Sequence, residues 1–371
     1  MPQSNQLLIN LSFVFAQPTG IATYATNLIP HLNKLAPTLL IADQATSWFP
    51  QTASYPRYPI PANLSPAQGS KGHLRRLLWT QFPVPQIYQK LKAKLFFSPV
   101  PEAPLYSKCR SLVMVHDVIP LRFPNRFSPL TPYYRYYIPQ VLAQAKHVIC
   151  NSHATAKDIT QFFAIPAAKI TPIHLAYDSK HFQPPSPSSK DRVDTPYFIY
   201  IGRHDPHKNL QRLVSAFAKM PNCRDYELWL AGATDSRYTP QLQQQAADLG
   251  IAEQLKILEY VSYAQLPQLL QQATAMVFPS LWEGFGIPIL EAMACGTPVI
   301  TSNISSLPEV AGDAAILVNP YRVEEITAAM HQVASDSKMR SQLREAGLKR
   351  ASEFSWLKTG QETADVLGFY L

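Results

Sequence analysis

Two glutamates eight positions apart, Glu283 and Glu291, bracket a Gly-Phe-Gly turn in the stretch "PSLWEGFGIPILEAMACGTPVITS", residues 279–302. Carboxylates accept hydrogen bonds from hydroxyl pairs, and the amino end of a helix offers backbone N–H groups to an anion. Gly284, Phe285 and Gly286 make the turn, Ile287 and Pro288 open a helix, and Gly296 ends it. One acid on the turn and one about a turn into the helix can hold a sugar on one side of a diphosphate and a ribose on the other. A dipole cap explains either acid alone but not two acids around one tight turn.

Three further places carry candidate chemistry. In "GRHDPHKN", Arg203 and Lys208 offer a planar fork and a point charge, a pair suited to a diphosphate; two solvated surface cations read the same way. In "HDVIP", His116 can donate to a sugar hydroxyl or carry a proton near neutral pH, or it can be an ordinary structural histidine. In "AQPTGIATY", Gly20 opens a helix where backbone can approach a ligand closely, and a plain turn is the competing reading.

These residues share one relation to the predicted elements, since each follows a strand. Apolar runs at 6–14, 110–117, 147–152, 197–202, 226–232, 255–261, 273–279 and 297–302 read as strands. Helical patterns alternate with them, at 20–35, at 153–163 behind Ser152 as an N-cap, at 209–220 and at 239–250. Alternating strands and helices predict parallel sheets covered on both faces, and ligands bind such sheets beyond the carboxyl ends of the strands. The Pro- and Ser-rich stretch 183–196 reads as a linker. The expected organisation is a domain over 1–182, the linker over 183–196, a second domain over 197–353 and an amphipathic helix over 354–371. The fold class is α/β, two doubly wound Rossmann-like domains expected to face each other across a cleft.

A chain of 371 residues exceeds one ordinary core and suits two. No apolar run reaches the roughly 18–20 residues that span a bilayer. The opening residues lack the basic flank and small-residue cleavage site of a secretory signal, so a cytoplasmic protein is expected. Cys109, Cys150, Cys223 and Cys295 have no metal-ligand spacing and read as free thiols. Charge is uneven: residues 1–180 hold 17 Lys and Arg against 5 Asp and Glu, a net of +12, which leaves −4 of the total +8 for the remainder. Between Asp43 and Glu102 there is no acid and there are seven cations. That 44–101 segment fits a solvated basic face, an anionic membrane surface or a phosphate-bearing acceptor. No recognition motif for nucleic acid accompanies it, so nucleic acid is not an expected partner. Trp79, Phe82 and Tyr88 in "RRLLWTQFPVPQIYQKLKAKLFF" favour a membrane, and the aromatic "TPYYRYYIPQ" (131–140) suits either acceptor stacking or a packed helix start.

With these motifs in place, the chain resembles the retaining glycosyltransferases of family 4, which have the GT-B fold. "EGFGIPILE" is similar to that family's paired-glutamate motif and "YIGRHDPHKNLQRLVSAF" to its phosphate-binding segment, while "GIATYATNL", "VHDVIPLRFP", "VICNSHATAKDI" and "FSW" match in order. "HDVIPLRFP" with "LWTQFPVP" looks most like the bacterial mannosyltransferase-B-like branch, which often builds polysaccharide or O-antigen chains. The resemblance implies transfer of a hexose from a nucleotide-diphosphate sugar, GDP-mannose by branch, to a hydroxyl of a glycan or lipid-linked acceptor. It implies retention of configuration and no metal or other cofactor beyond the donor. Glu283 and the backbone of Gly284, Phe285, Gly286 and Ile287 would hold the donor sugar and its phosphate, and Glu291 the ribose. Arg203 and Lys208 would neutralise the leaving diphosphate, His116 would touch the transferred sugar, and Gly20 would lie beneath the phosphates. The final helix would pack back on the first domain. One departure is that a second glycine, present beside Gly20 in many members, is missing from Pro18-Thr19-Gly20-Ile21-Ala22. A GT-B epimerase or phosphorylase, or a non-catalytic scaffold subunit that binds sugar nucleotides, are the alternative functions.

Overall fold

The computed structural model describes residues 6–15, 20–125, 128, 130–186, 195–259 and 261–371. The chain forms two compact units, one of Met1–Leu175 with Trp356–Leu371 and one of Ala176–Ser355. Most of the predicted 183–196 linker, residues 187–194, lies outside the described residues, as do Pro18 and Thr19.

In the first unit seven parallel strands pair: β1 Leu7–Asn10, β2 Thr38–Ile41, β3 Arg57–Pro59, β4 Leu95–Ser98, β5 Ser111–Val115, β6 His147–Cys150 and β7 Ile170–Pro172. Their order across the sheet is β3-β2-β1-β4-β5-β6-β7. The central strands are buried along their whole length, as parallel strands covered on both faces must be. The order reverses between β1 and β4, which pair through Leu8 and Phe96. The helix predicted over 20–35 is α-helical only from Gly20 to Leu28 and continues as a 3₁₀ turn from Ile29 to Leu35. Pro30 lacks the N–H that an α-helix needs, which fits the change. Ser152 accepts a hydrogen bond from the Thr155 N–H and starts the helix His153–Phe163.

The helix Trp356–Tyr370 belongs to this unit. Gly360 lets it lie against His31, where an added Cβ would come within 2.2 Å of the His31 Cβ. Thr359 donates to the His174 carbonyl at 2.7 Å, and the Tyr370 hydroxyl meets His147 at 3.0 Å.

The second unit has six parallel strands: β8 Tyr197–Ile201, β9 Glu227–Ala231, β10 Leu255–Leu258, β11 Ala275–Phe278, β12 Val299–Ser302 and β13 Ile316–Val318, in the order β10-β9-β8-β11-β12-β13. Its reversal falls between β8 and β11, paired through Ile199 and Met276. A doubly wound sheet opens a crevice beyond the strand ends at this reversal, because the flanking loops leave in opposite directions. The segments that follow β8 and β11 are those that hold Arg203, Lys208, Glu283 and Glu291. Phe182, at the predicted end of the first domain, is buried in the second unit, edge-on to Tyr263, while His181 stacks on the same ring. Among the described residues, no helix is long and apolar enough to cross a membrane.

Candidate active site

The loop after β8 begins where two backbones nearly touch. Gly202 has φ +150° and an added Cβ would lie 2.5 Å from the Tyr200 hydroxyl; Gly232, after β9, has φ +138° and its Cβ would lie 2.3 Å from the Gly202 carbonyl oxygen. Only glycine fits such an approach. Tyr200 then fixes the loop by donating to the Arg203 carbonyl at 3.0 Å. At its far end Asn209 takes the left-handed conformation, φ 64°, and its amide donates to the carbonyls of Pro279 (3.0 Å) and Pro320 (2.7 Å). The Leu281 N–H donates to the His207 carbonyl at 2.7 Å. The loops after β8 and β11 are thus sewn together before any charged side chain is considered.

Lys208 and Glu283 meet across this seam. The Lys208 Nζ donates to both carboxylate oxygens, at 2.6 and 2.9 Å, with side chains only 15% and 10% exposed. An ammonium has three N–H donors, so the pair leaves one for a further acceptor, and the carboxylate keeps lone pairs for hydroxyl donors. Breaking a pair this shielded is costly, because the survivor stays buried and uncompensated. Arg203 stands apart: its side chain is 71% exposed and pairs with Asp205 at 3.3 Å.

The turn that carries Glu283 is held by serines that sequence reading did not single out. Ser305 accepts from the Glu283 N–H (3.0 Å) and donates to its carbonyl (2.7 Å), while Ser306 donates to the carbonyls of Glu283 (3.1 Å) and Phe285 (2.8 Å). Their signal was position alone, since they follow the predicted strand 297–302. Phe285 points inward, buried against Phe354, so only its backbone can serve a ligand. Gly286 has φ +111° and an added Cβ would lie 2.9 Å from a Leu307 methyl. It caps the helix Ile287–Ala294, with Pro288 in the first turn, and Gly296 at φ +74° follows the Cys295 cap. The amino end of this helix, next to Glu283, is its positive end.

Glu291 sits one turn into that helix. Burial, with the charge of Asp178 adding to it, pushes its carboxyl up to about 7. Asp178 also accepts from the Tyr263 hydroxyl at 3.4 Å. Neither Asp178 nor Tyr263 was expected at this acid; both lie far from it in sequence.

In the first unit Gly20 starts its helix exposed, and an added Cβ there would meet nothing within 4 Å. The protein itself imposes no steric need for glycine at this position. His116 follows β5, and its Nε2 lies 2.9 Å from the Pro99 carbonyl, which can only accept. The proton is therefore on Nε2, and Nδ1 is the acceptor. Burial holds the imidazole pKa down at about 4. The readings that His116 donates to a sugar hydroxyl or carries a proton near neutral pH are thereby corrected: the ring is neutral, its one N–H is given to Pro99, and Nδ1 can accept but not donate. Tyr24, on the apolar face of the helix that starts at Gly20, sets the ring edge-on at 5.1 Å.

The basic 44–101 segment is partly internal. Arg76 is buried in a two-pronged pair with Glu102, at 2.8 Å to each oxygen. Trp79 and Tyr88 are buried as well. The helix Gly69–Gln81 instead turns Leu74 (58% exposed) and Leu78 (52%) outward, followed by Phe82 (63%), beside exposed Lys71 and Arg75. The 131–140 tyrosines form a π-helical turn, Tyr133–Tyr137, whose Tyr133 and Tyr137 hydroxyls donate to Glu102 and to the Ala103 carbonyl. Packing thus claims those two rings, while Tyr136 faces out.

Residues 18–181 match the family described as Glycosyltransferase Family 4, and residues 184–350 the family described as Glycosyl transferases group 1. The chain is 33% identical over 259 residues to O-antigen chain mannosyltransferase B of Escherichia coli, which covers 67% of each protein. It is 28% identical over 320 residues to O-antigen chain mannosyltransferase RfbU of Salmonella typhimurium, covering 85% of this chain and 87% of that one. Among solved structures, Anabaena HepE in complex with UDP-glucose superimposes with a TM-score of 0.76 at 19% identity, over 98% of this chain and 99% of the other. The order of both sheets, the paired glutamates after β11 and these relatives agree: the chain belongs to glycosyltransferase family 4, in the branch of the bacterial O-antigen mannosyltransferases.

Proposed function

We propose that the protein transfers a mannosyl or glucosyl group from a nucleotide-diphosphate sugar to a hydroxyl of a glycan or lipid-linked acceptor, with retention at the anomeric carbon and without a metal ion. The observation that carries this reading is the Lys208–Glu283 pair, held at the amino end of the Ile287–Ala294 helix where the sheet order reverses. Breaking the glycosidic bond puts negative charge on the leaving diphosphate. In this reading the third N–H of Lys208 and the helix amino end stabilise that charge, and Arg203, on its exposed loop, adds a planar fork. These cations do the work that a divalent ion does in other transferases. Glu283 accepts hydrogen bonds from the sugar, and Glu291 from the ribose. His116, neutral, accepts from a hydroxyl of the transferred sugar. The mannosyltransferase names of the relatives favour GDP-mannose as donor.

The test is nucleotide release from a panel of GDP-, UDP- and ADP-sugars, with and without acceptor, and with EDTA present. Acceptor-dependent release that survives EDTA, with an anomeric NMR signal matching the donor's configuration, supports the proposal. Interconversion of free sugar nucleotides in its place would support an epimerase, and binding without turnover a scaffold.

We also propose that the protein docks on anionic lipid from the cytoplasmic side. The support is the outward Leu74, Leu78 and Phe82 stripe beside Lys71 and Arg75.

A further inference from the structure

The second unit has a cavity of about 430 Å³ on the edge of its sheet opposite the candidate active site. Pro196, Thr274 and Pro298 line it, and they precede β8, β11 and β12. The donor-side residues follow β8 and β11, so the two sites lie at opposite strand ends. The helix Ile287–Ala294 connects them: it starts at Gly286 beside Glu283, and Gly296, just past its end, lines the cavity. At 1.5 Å per residue the helix spans about 12 Å.

The other wall is one face of the helix Ser337–Ser352. Ser337, Arg340, Ser341 and Arg344 recur at the three- and four-residue spacing that puts side chains on one side. Both arginines therefore line the cavity, and among the described residues no carboxylate does. Neither arginine has an ion-pair partner among the described residues. Arg340 is oriented by its Nη1, which donates to the Val333 and Ala334 carbonyls at 2.6 and 2.8 Å, the closing turn of the preceding helix. Its remaining N–H groups are not used by those bonds. Arg344 lies flat over Gly296, where an added Cβ would come within 2.9 Å of its Cζ. The glycine is thus fitted to the guanidinium as well as to its own φ of +74°. Two like charges at this spacing repel unless an anion joins them.

We infer that this cavity is a second ligand site, for a small phosphomonoester with a sugar-sized body. Two forked donors match the oxygens of a phosphate. The volume exceeds a bare phosphate. The wall beyond the arginines offers a ring, Tyr226, and two groups that can meet hydroxyls, Thr274 and Gln271. This assignment stands independently of what the donor site binds.

Isothermal titration calorimetry with mannose 6-phosphate, inorganic phosphate and neutral mannose tests it. Wild-type protein is expected to bind mannose 6-phosphate at one site, tighter than phosphate and without detectable binding of mannose. Arg344→Gln should weaken that binding at least tenfold. Ser341→Asp, at an exposed helical position, places a carboxylate between the arginines and should abolish it without lowering the melting temperature. Lys208→Ala, on the donor side, should leave it unchanged. No binding to the wild type, wild-type affinity in either cavity variant, or loss in Lys208→Ala would each overturn the assignment.

Discussion

At the scale of single residues, the paired charges decide the outcome. Removing the Lys208 ammonium or the Glu283 carboxylate takes away a donor or acceptor made ready before reaction, a change that costs about a hundredfold or more in turnover. Lys208→Ala and Glu283→Ala are each expected to lose at least that much while circular dichroism stays native. Arg203→Ala should cost less, because its side chain is exposed and already paired with Asp205. Glu291 carries a pH signature. Its folded pKa of about 7 lies above the ordinary 4.5, so the folded protein keeps a proton that the unfolded chain releases. Stability should therefore fall as pH rises from about 4.5 to 7, and Glu291→Gln should remove that slope in urea titrations at pH 5 and pH 8. Ribose hydroxyls favour the ionised carboxyl, so nucleotide affinity of the wild type should rise between pH 6 and pH 8 and stay flat in the variant. These residues could be singled out from the sequence because they follow strands, where parallel sheets bind ligands. Their partners were not: Asp178 and Tyr263 reach Glu291 from distant segments, and the protonation of His116 depends on a carbonyl seventeen residues upstream.

At the scale of elements, the site rests on a turn that serines hold. Ser305 and Ser306 supply hydrogen bonds to both faces of the Glu283 peptide and to Phe285. Replacing both with alanine leaves those groups in a half-buried loop without partners, a loss of about 1–3 kcal/mol per unsatisfied group. The double variant should unfold at lower denaturant and raise KM for the donor. Gly286→Ala should be more severe for binding, since it demands φ +111° of an alanine and drives a methyl toward Leu307. Strands with long apolar runs, such as 110–117 and 197–202, were legible and proved only one to three residues shorter. The edge strands Arg57–Pro59, Ile170–Pro172 and Ile316–Val318 were not, because three residues give too short a run to show a period. The 3₁₀ continuation after Leu28 was foreshadowed by Pro30, whereas nothing local announced the π-helical turn at Tyr133–Tyr137.

At the scale of the whole molecule, the excess of positive charge in the first half has two fates. Part is internal, as the Arg76–Glu102 pair shows, and part flanks the outward Leu74, Leu78 and Phe82 stripe. Sequence alone placed Trp79 and Tyr88 among the membrane-facing candidates; the helix Gly69–Gln81 buries Trp79 and turns Leu74 and Leu78 outward, and the helix Pro83–Lys90 buries Tyr88. Liposomes with anionic lipid are expected to retain the wild type at low salt. The triple change Leu74→Ser, Leu78→Ser and Phe82→Ser should release it, and so should raising the salt, because surface attraction is screened within a Debye length. Retention unaffected by either would remove this face from the account. The double winding of each unit was legible from strand and helix alternation. The order of strands was not, because pairing joins segments far apart in the chain.

The central claim concerns the ligand end of the Ile287–Ala294 helix, and a crystal structure with the nucleotide sugar that gives acceptor-dependent turnover tests it most directly. The predicted result has diphosphate oxygens within hydrogen-bonding distance of the Lys208 Nζ and of backbone N–H groups at 285–287, with Glu283 on the sugar and Glu291 on the ribose. A nucleotide bound elsewhere, or one that leaves both carboxyl groups without a sugar contact, would contradict it.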